Sequence, residues 1–191
     1  ILDAAMQQRV MDEIVTPTVE GMKKDGRPYR GVLFVGLMID EKHGPRVVEY
    51  NVRFGDPECQ VIMTRLKDDP LPQFLACAIG GLAGCARLER ASDPAVTVVM
   101  ASAGYPGEPK KGGVIGNLDE AGKTQGVTIF HAGTAQQGDA IIANGGRVLT
   151  VTATGPTLKE AVARAYEAVD KIDWPDGFCR RDIAWRALAR Q

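Results

Sequence analysis

Five residues within ten positions carry the side chains best suited to chemistry: Glu49, Asn51, Arg53, Asp56 and Glu58. The run Val48–Val52 reads as a strand, in which every second side chain shares a face. Glu49, Asn51 and Arg53 then point one way, and Val48, Tyr50 and Val52 point the other, where they are expected in the core. A carboxylate and an amide oxygen two residues apart suit a magnesium ion, which takes oxygen ligands and commonly keeps only one or two from protein beside substrate phosphates. An arginine next in line suits a phosphate or carboxylate. Gly55, Asp56, Pro57 and Glu58 turn the chain and add two acids. The competing reading of so short a pattern is an ordinary solvated strand face.

Those residues need a rigid support. Residues 31–40 are apolar on both faces and predict a buried strand. Glu41-Lys42-His43-Gly44-Pro45 predicts a tight turn, and residues 46–53 an antiparallel return strand beside it. Ahead of this hairpin, residues 3–24 predict an amphipathic helix, with Ala5, Met6, Val10 and Ile14 at helical spacing and Pro17 as a kink or restart. Behind it, residues 59–66 and 73–83 predict two helices broken by Asp68-Asp69-Pro70.

A subdomain boundary is expected near residue 92, giving domains 1–92 and 93–191. The second half predicts strands at 95–102, 127–131, 141–143 and 146–154, with residues 110–125 mostly loop. Asn144-Gly145 is a hairpin signal. Residues 157–172 give the clearest helix, opened by a Thr157/Glu160 capping box. Its apolar stripe is Leu158, Ala161, Val162, Ala165, Val169 and Ile172. Residues 178–189 predict a loop and a short final helix.

Composition narrows the classes. The chain has 191 residues, 45% hydrophobic, with a formal net charge of −1. That charge gives no electrostatic footprint for nucleic acid or membrane, and no apolar run is long enough to span a bilayer. Cys59, Cys77, Cys85 and Cys179 lack metal-ligand spacing and sit apart from His43 and His131, which argues for reduced thiols in a cytoplasmic protein. Ile1 opens the chain without a methionine or a signal-peptide pattern, so a processed chain or a piece of a longer one is expected.

Residues 53–60 read Arg-Phe-Gly-Asp-Pro-Glu-Cys-Gln. This octapeptide resembles the signature of the glycinamide ribonucleotide synthetase (phosphoribosylamine–glycine ligase) family. The resemblance continues in Tyr29-Arg30-Gly31-Val32-Leu33, Gly104-Tyr105-Pro106-Gly107, His131-Ala132-Gly133-Thr134, Gly145-Gly146-Arg147-Val148-Leu149 and Arg180-Arg181-Asp182-Ile183. It implies an α+β chain: the C-terminal part of an ATP-grasp domain, built of antiparallel strands with helices, followed by a small mixed α/β domain resembling that of biotin carboxylase. It implies a ligase of de novo purine synthesis that joins glycine to 5-phosphoribosylamine through a glycyl phosphate, with ATP as co-substrate and Mg2+ or Mn2+ as cofactor. Glu49 and Asn51 match the family's metal ligands. Arg53 is the candidate catalytic contact to phosphate or acyl phosphate. Asp56 and Glu58 are candidates for holding a substrate amine, or alternatively cap the helix that follows. A further acidic ligand common on the preceding strand of ATP-grasp enzymes is replaced here by Gly36.

The resemblance starts inside the ATP-grasp domain, so the chain is expected to lack the N-terminal half of the enzyme, its glycine-rich ATP flap included, and to be inactive alone. The ending soon after Arg181-Asp182-Ile183 suits a single-function enzyme. Exposed apolar surface is expected where the absent half would lie. Another ATP-grasp ligase or carboxylase, or a binding module without chemistry, are the alternatives. The glycine loops, His131 and the Arg180-Arg181-Asp182 group are expected to serve backbone geometry or ion pairing, and His43 has no assigned role.

Overall fold

The computed structural model describes residues 2–40 and 42–190; Ile1, Gln191 and Glu41, the head of the expected turn, lie outside them. In chain order the elements begin with α1 (Ala4–Val10), a π-helical turn (Met11–Val15), α2 (Thr16–Lys24), β1 (Phe34–Asp40), β2 (Gly44–Asn51), α3 (Glu58–Arg65), α4 (Leu71–Ile79) and a 3-10 turn (Leu82–Gly84). They continue with β3 (Ala95–Ser102), β4 (Val114–Ile115), α5 (Leu118–Gly122), β5 (Val127–His131), β6 (Thr134–Gln137), β7 (Ala140–Ala143), β8 (Arg147–Thr154), α6 (Leu158–Lys171), β9 (Gly177–Phe178) and α7 (Trp185–Leu188). The chain divides into two compact units, residues 1–55 with 69–87 and residues 56–68 with 88–191.

In the first unit, the Asp3 carboxylate caps α1 by accepting from the Met6 amide at 2.8 Å. The expected restart at Pro17 is present. Proline has no N–H to give, and the turn ahead of it widens: the Thr16 amide donates to the Met11 carbonyl, five residues back. β1 and β2 pair antiparallel as a two-stranded sheet. Here two expectations are corrected. β1 is half-buried rather than covered on both faces, with Met38 61% exposed. Val48, Tyr50 and Val52 are exposed, not core; Val48 is 64% and Val52 72% exposed. The physical reason is that two strands alone cannot enclose a face. β2 also ends at Asn51, so Arg53 follows the strand rather than extending it.

The second unit holds the buried core. Its larger sheet runs β5-β8-β3-β9, with all recorded pairings antiparallel. β8 is central, and its residues from Val148 to Ala153 are buried on both faces. α6 carries the expected capping box and buries Ala161, Ala165, Ala168 and Val169, small residues that let the helix approach the sheet closely. A second sheet runs β4-β7-β6. The Asn144-Gly145 hairpin is corrected: β7 and β8 belong to different sheets, and residues 144–146 cross between them. The hairpin lies one step earlier, joining β6 to β7 through Gly138, at φ +58°. β4, α5, β6 and β9 were not expected; elements of two to five residues are too short to display a period.

Candidate functional site

The hairpin in the first unit brings Glu49 and Asn51 together. They flank Tyr50 on β2, and the Asn51 side-chain amide donates to the Glu49 carboxylate at 3.0 Å, so the two side chains share a face. Glu49 is exposed and Asn51 half-buried. Gly36 of β1 lies directly opposite Glu49 in the register. A Cβ at Gly36 would come within 3.0 Å of Glu49 Cγ, so the glycine leaves space for the glutamate to lie across its neighbour. The register slips between Gly36 and Leu37, where Val47 and Glu49 are the paired residues and Val48 is the extra one. Such a bulge re-aims side chains at a strand end.

Two oxygen-bearing side chains on one open face fit a divalent cation that draws its remaining ligands from phosphate and water. Among the described residues no group of three or more His, Cys, Asp and Glu gathers as a cage. The donor set therefore suits magnesium or manganese held jointly with a substrate, and not a closed structural site.

The octapeptide divides between the units after Gly55. Arg53 is exposed, with one guanidinium nitrogen donating to the Phe54 carbonyl at 3.0 Å and no other side-chain bond to the described residues. Phe54 packs against Phe74 of α4, ring centroids 5.9 Å apart. Both rings line an apolar cavity of about 500 Å3 with Val32, Cys77 and Leu82.

Asp56 and Glu58 belong to the second unit. No side chain caps α3, which begins after Pro57, so the capping alternative is overturned. The Asp56 carboxylate instead pairs with Arg147 at 2.8 Å through one oxygen and accepts from Gln60 Nε2 at 3.2 Å through the other. The Asp56 carbonyl accepts a second bond from Arg147, at 3.0 Å. Glu58 stands exposed in the first turn of α3, where a negative charge is favoured by the helix dipole. Burial, then the nearby Asp56 carboxylate, push the Cys59 thiol up, so it stays protonated and a poor nucleophile.

Arg147 and Gln60 are the partners that sequence reasoning passed over. Arg147 stands inside one of the family-like segments, and a charged residue at the end of a buried strand was the available signal. The remaining motifs serve geometry. Gly104 takes φ +95°, and a Cβ there would collide with the Glu108 carbonyl. His131 meets the Thr134 hydroxyl at 3.0 Å across the turn to β6. Arg180 pairs with Asp182 at 2.7 Å, and Arg181 with Asp170 at 2.6 Å.

Comparison with known proteins supplies the context. Residues 1–59 match the family described as phosphoribosylglycinamide synthetase, ATP-grasp (A) domain, and residues 95–186 match phosphoribosylglycinamide synthetase, C domain. The chain is 55% identical along its whole length to a phosphoribosylamine–glycine ligase of Mesorhizobium japonicum, covering 44% of that protein. It is 51% identical to a chloroplastic phosphoribosylamine–glycine ligase of Arabidopsis thaliana, covering 36% of it. A crystal structure of the Thermotoga maritima phosphoribosylamine–glycine ligase aligns at TM-score 0.79 and 35% identity, over 95% of this chain and 44% of that one. A biotin carboxylase of Campylobacter jejuni shares the fold, at TM-score 0.57 and 13% identity over 98% of this chain and 40% of that one. The chain thus spans under half the length of these two curated relatives.

Proposed function

The chain belongs to the phosphoribosylglycinamide synthetase family, and from that premise we propose that it forms one wall of the active site of an ATP-dependent phosphoribosylamine–glycine ligase. The observation that carries this is the Glu49–Asn51 pair on one open strand face. The reaction is amide formation between glycine and 5-phosphoribosylamine. A carboxylate is a poor acyl electrophile, and transfer of the ATP γ-phosphoryl group to glycine gives it a leaving group. The amine nitrogen of phosphoribosylamine then attacks the carbonyl carbon, inorganic phosphate departs, and the nitrogen loses a proton.

In this reading Glu49 and Asn51 would hold a magnesium or manganese ion beside the nucleotide, where it would supply positive charge to offset that of the phosphates. Arg53 contacts the transferring phosphoryl group or the acyl phosphate; a planar guanidinium matches two phosphate oxygens at once. Asp56 and Glu58 belong to the face that receives the substrate amine. The boundary between the two domains lies near residue 92, in the irregular stretch ahead of β3. The complete enzyme is cytoplasmic, and its N-terminal half supplies the remaining contacts to ATP and to the ribosyl substrate.

The test uses the complete polypeptide beside the 191-residue chain, supplied with ATP, magnesium, glycine and phosphoribosylamine. The complete protein should form glycinamide ribonucleotide, ADP and phosphate in equal amounts, and the 191-residue chain alone should form none. Substantial product from the chain alone, or a complete protein that consumes bicarbonate in place of glycine, would overturn the assignment.

A further inference from the structure

We propose that Arg147 is a positioning residue for the Asp56-Pro57-Glu58 segment, clamping the second half of the octapeptide to the end of the core strand β8. Its functional part rests on the ligase reading above; its structural part does not.

Arg147 is the first residue of β8, and the backbone around it is unusually constrained. A Cβ at Gly133 would fall 2.6 Å from the Arg147 carbonyl oxygen, one at Gly145 would fall 3.0 Å from Gly133 Cα, and one at Gly146 would fall 2.5 Å from the Tyr105 ring. Three glycines therefore permit close packing ahead of Arg147. The Gly146 carbonyl accepts from the Ser102 amide at 2.8 Å, and the Asn144 amide donates to Gly133 at 2.7 Å. The pairing of β8 with β3 slips at this point, since Ala101 faces Arg147 and Met100 faces Leu149. That bulge releases the side chain from the regular alternation.

From this fixed base the guanidinium makes two contacts with one residue. One nitrogen reaches Asp56 Oδ2 at 2.8 Å and another reaches the Asp56 carbonyl oxygen at 3.0 Å. Gln60 holds the remaining Oδ1 at 3.2 Å and reaches Thr150 Oγ1 of β8 at 3.4 Å. Every oxygen of Asp56 is thus engaged, two of the three by Arg147. A forked grip on side chain and backbone together fixes orientation as well as distance. Asp56 so engaged is a support, and Glu58, exposed two residues on, is the acid left open for a substrate amine.

The experiment compares wild type with Arg147→Ala, Arg147→Lys and Arg147→Gln in the complete polypeptide. Hydrogen exchange at the amides of residues 61–65, the first in α3 to have intrahelical acceptors, is the activity-independent reading. Loss of the clamp should raise exchange there about tenfold or more, as expected for local opening, while residues 149–153 keep their protection. In kinetics Arg147→Ala should raise KM for phosphoribosylamine about tenfold, leave KM for ATP unchanged, and be partly rescued by Arg147→Lys. Arg147→Gln, closer to arginine in size, keeps the measurement available if the alanine variant folds poorly. Unchanged exchange at 61–65 would overturn the clamp. Increased exchange with every KM unchanged, or a uniform loss that follows thermal stability, would overturn the positioning role. A wild-type protein that makes no glycinamide ribonucleotide would sink the ligase reading and leave the clamp to be judged on exchange alone.

Discussion

The β1–β2 hairpin and the C-terminal sheet are both antiparallel, yet they treat apolar residues in opposite ways. All sixteen residues of the buried hydrophobic cluster lie between Val96 and Trp174, in the second unit. The first unit leaves Met38, Val48, Val52, Leu71, Leu75 and Ile79 each more than 60% exposed. Patches of such residues mark surfaces that meet another surface. The contrast teaches where each unit places its apolar residues: the second in its own interior, the first largely on its surface. The Mesorhizobium japonicum ligase that this chain matches is more than twice its length.

The sharpest way to break this contrast is to treat the exposed hairpin as dispensable. Under the proposed ligase reading, Glu49→Gln in the complete polypeptide should lower kcat roughly a thousandfold, about 4 kcal/mol of barrier, with unchanged thermal melting. Retention of activity would remove the metal-strand reading. Next in size is the core itself. Leu149→Ala, at a side chain with 0% exposure, should cost about 3 kcal/mol in a denaturant titration. Val52→Ala in the hairpin should stay within about 0.5 kcal/mol; equal costs at the two sites would erase the distinction between the units.

A smaller effect tests how locally the second unit is specified. Thr157→Ala removes one arm of the capping box, in which the Glu160 amide donates to Thr157 Oγ1 at 3.2 Å. It should cost about 1 kcal/mol, read as a lower Tm. The smallest effect belongs to the first unit. Donation from the His43 amide, aided by its ring and the Lys42 amide, holds the Asp40 carboxyl below its ordinary range. A depressed acid contributes stability that is complete above its ordinary pKa and is lost as pH falls through the lowered one. Asp40→Asn should flatten that acid limb slightly, and NMR titration of the Asp40 carboxyl should show the lowered midpoint directly.

The long elements were legible because their sequences repeat a period for long enough. β3 and β5 fall on the expected residues, and α6 with its Thr157 cap is present as read. The same-face placement of Glu49 and Asn51 also followed from strand alternation. The burial of β2 did not, because alternation reveals two faces without saying what covers either. Asn144-Gly145 misled for a related reason: its glycine answers to the backbone of Gly133, a contact between segments that no local rule contains. Arg147 had the same invisibility, since its partner Asp56 is 91 residues away in sequence.

The π-helical turn at Met11–Val15 has a consequence for chain length. It holds one residue more than the regular helix needs between the faces of α1 and α2. A single deletion inside those five positions should convert the turn to ordinary α-helix while both flanking faces keep their bearings. The same deletion in residues 4–10 would rotate the α1 face against α2 by about 100°, so that α1 and Thr18, which meets the Tyr50 hydroxyl at 2.9 Å, could not both keep their contacts. Insertions and deletions tolerated in this helix during evolution should therefore concentrate in that one turn.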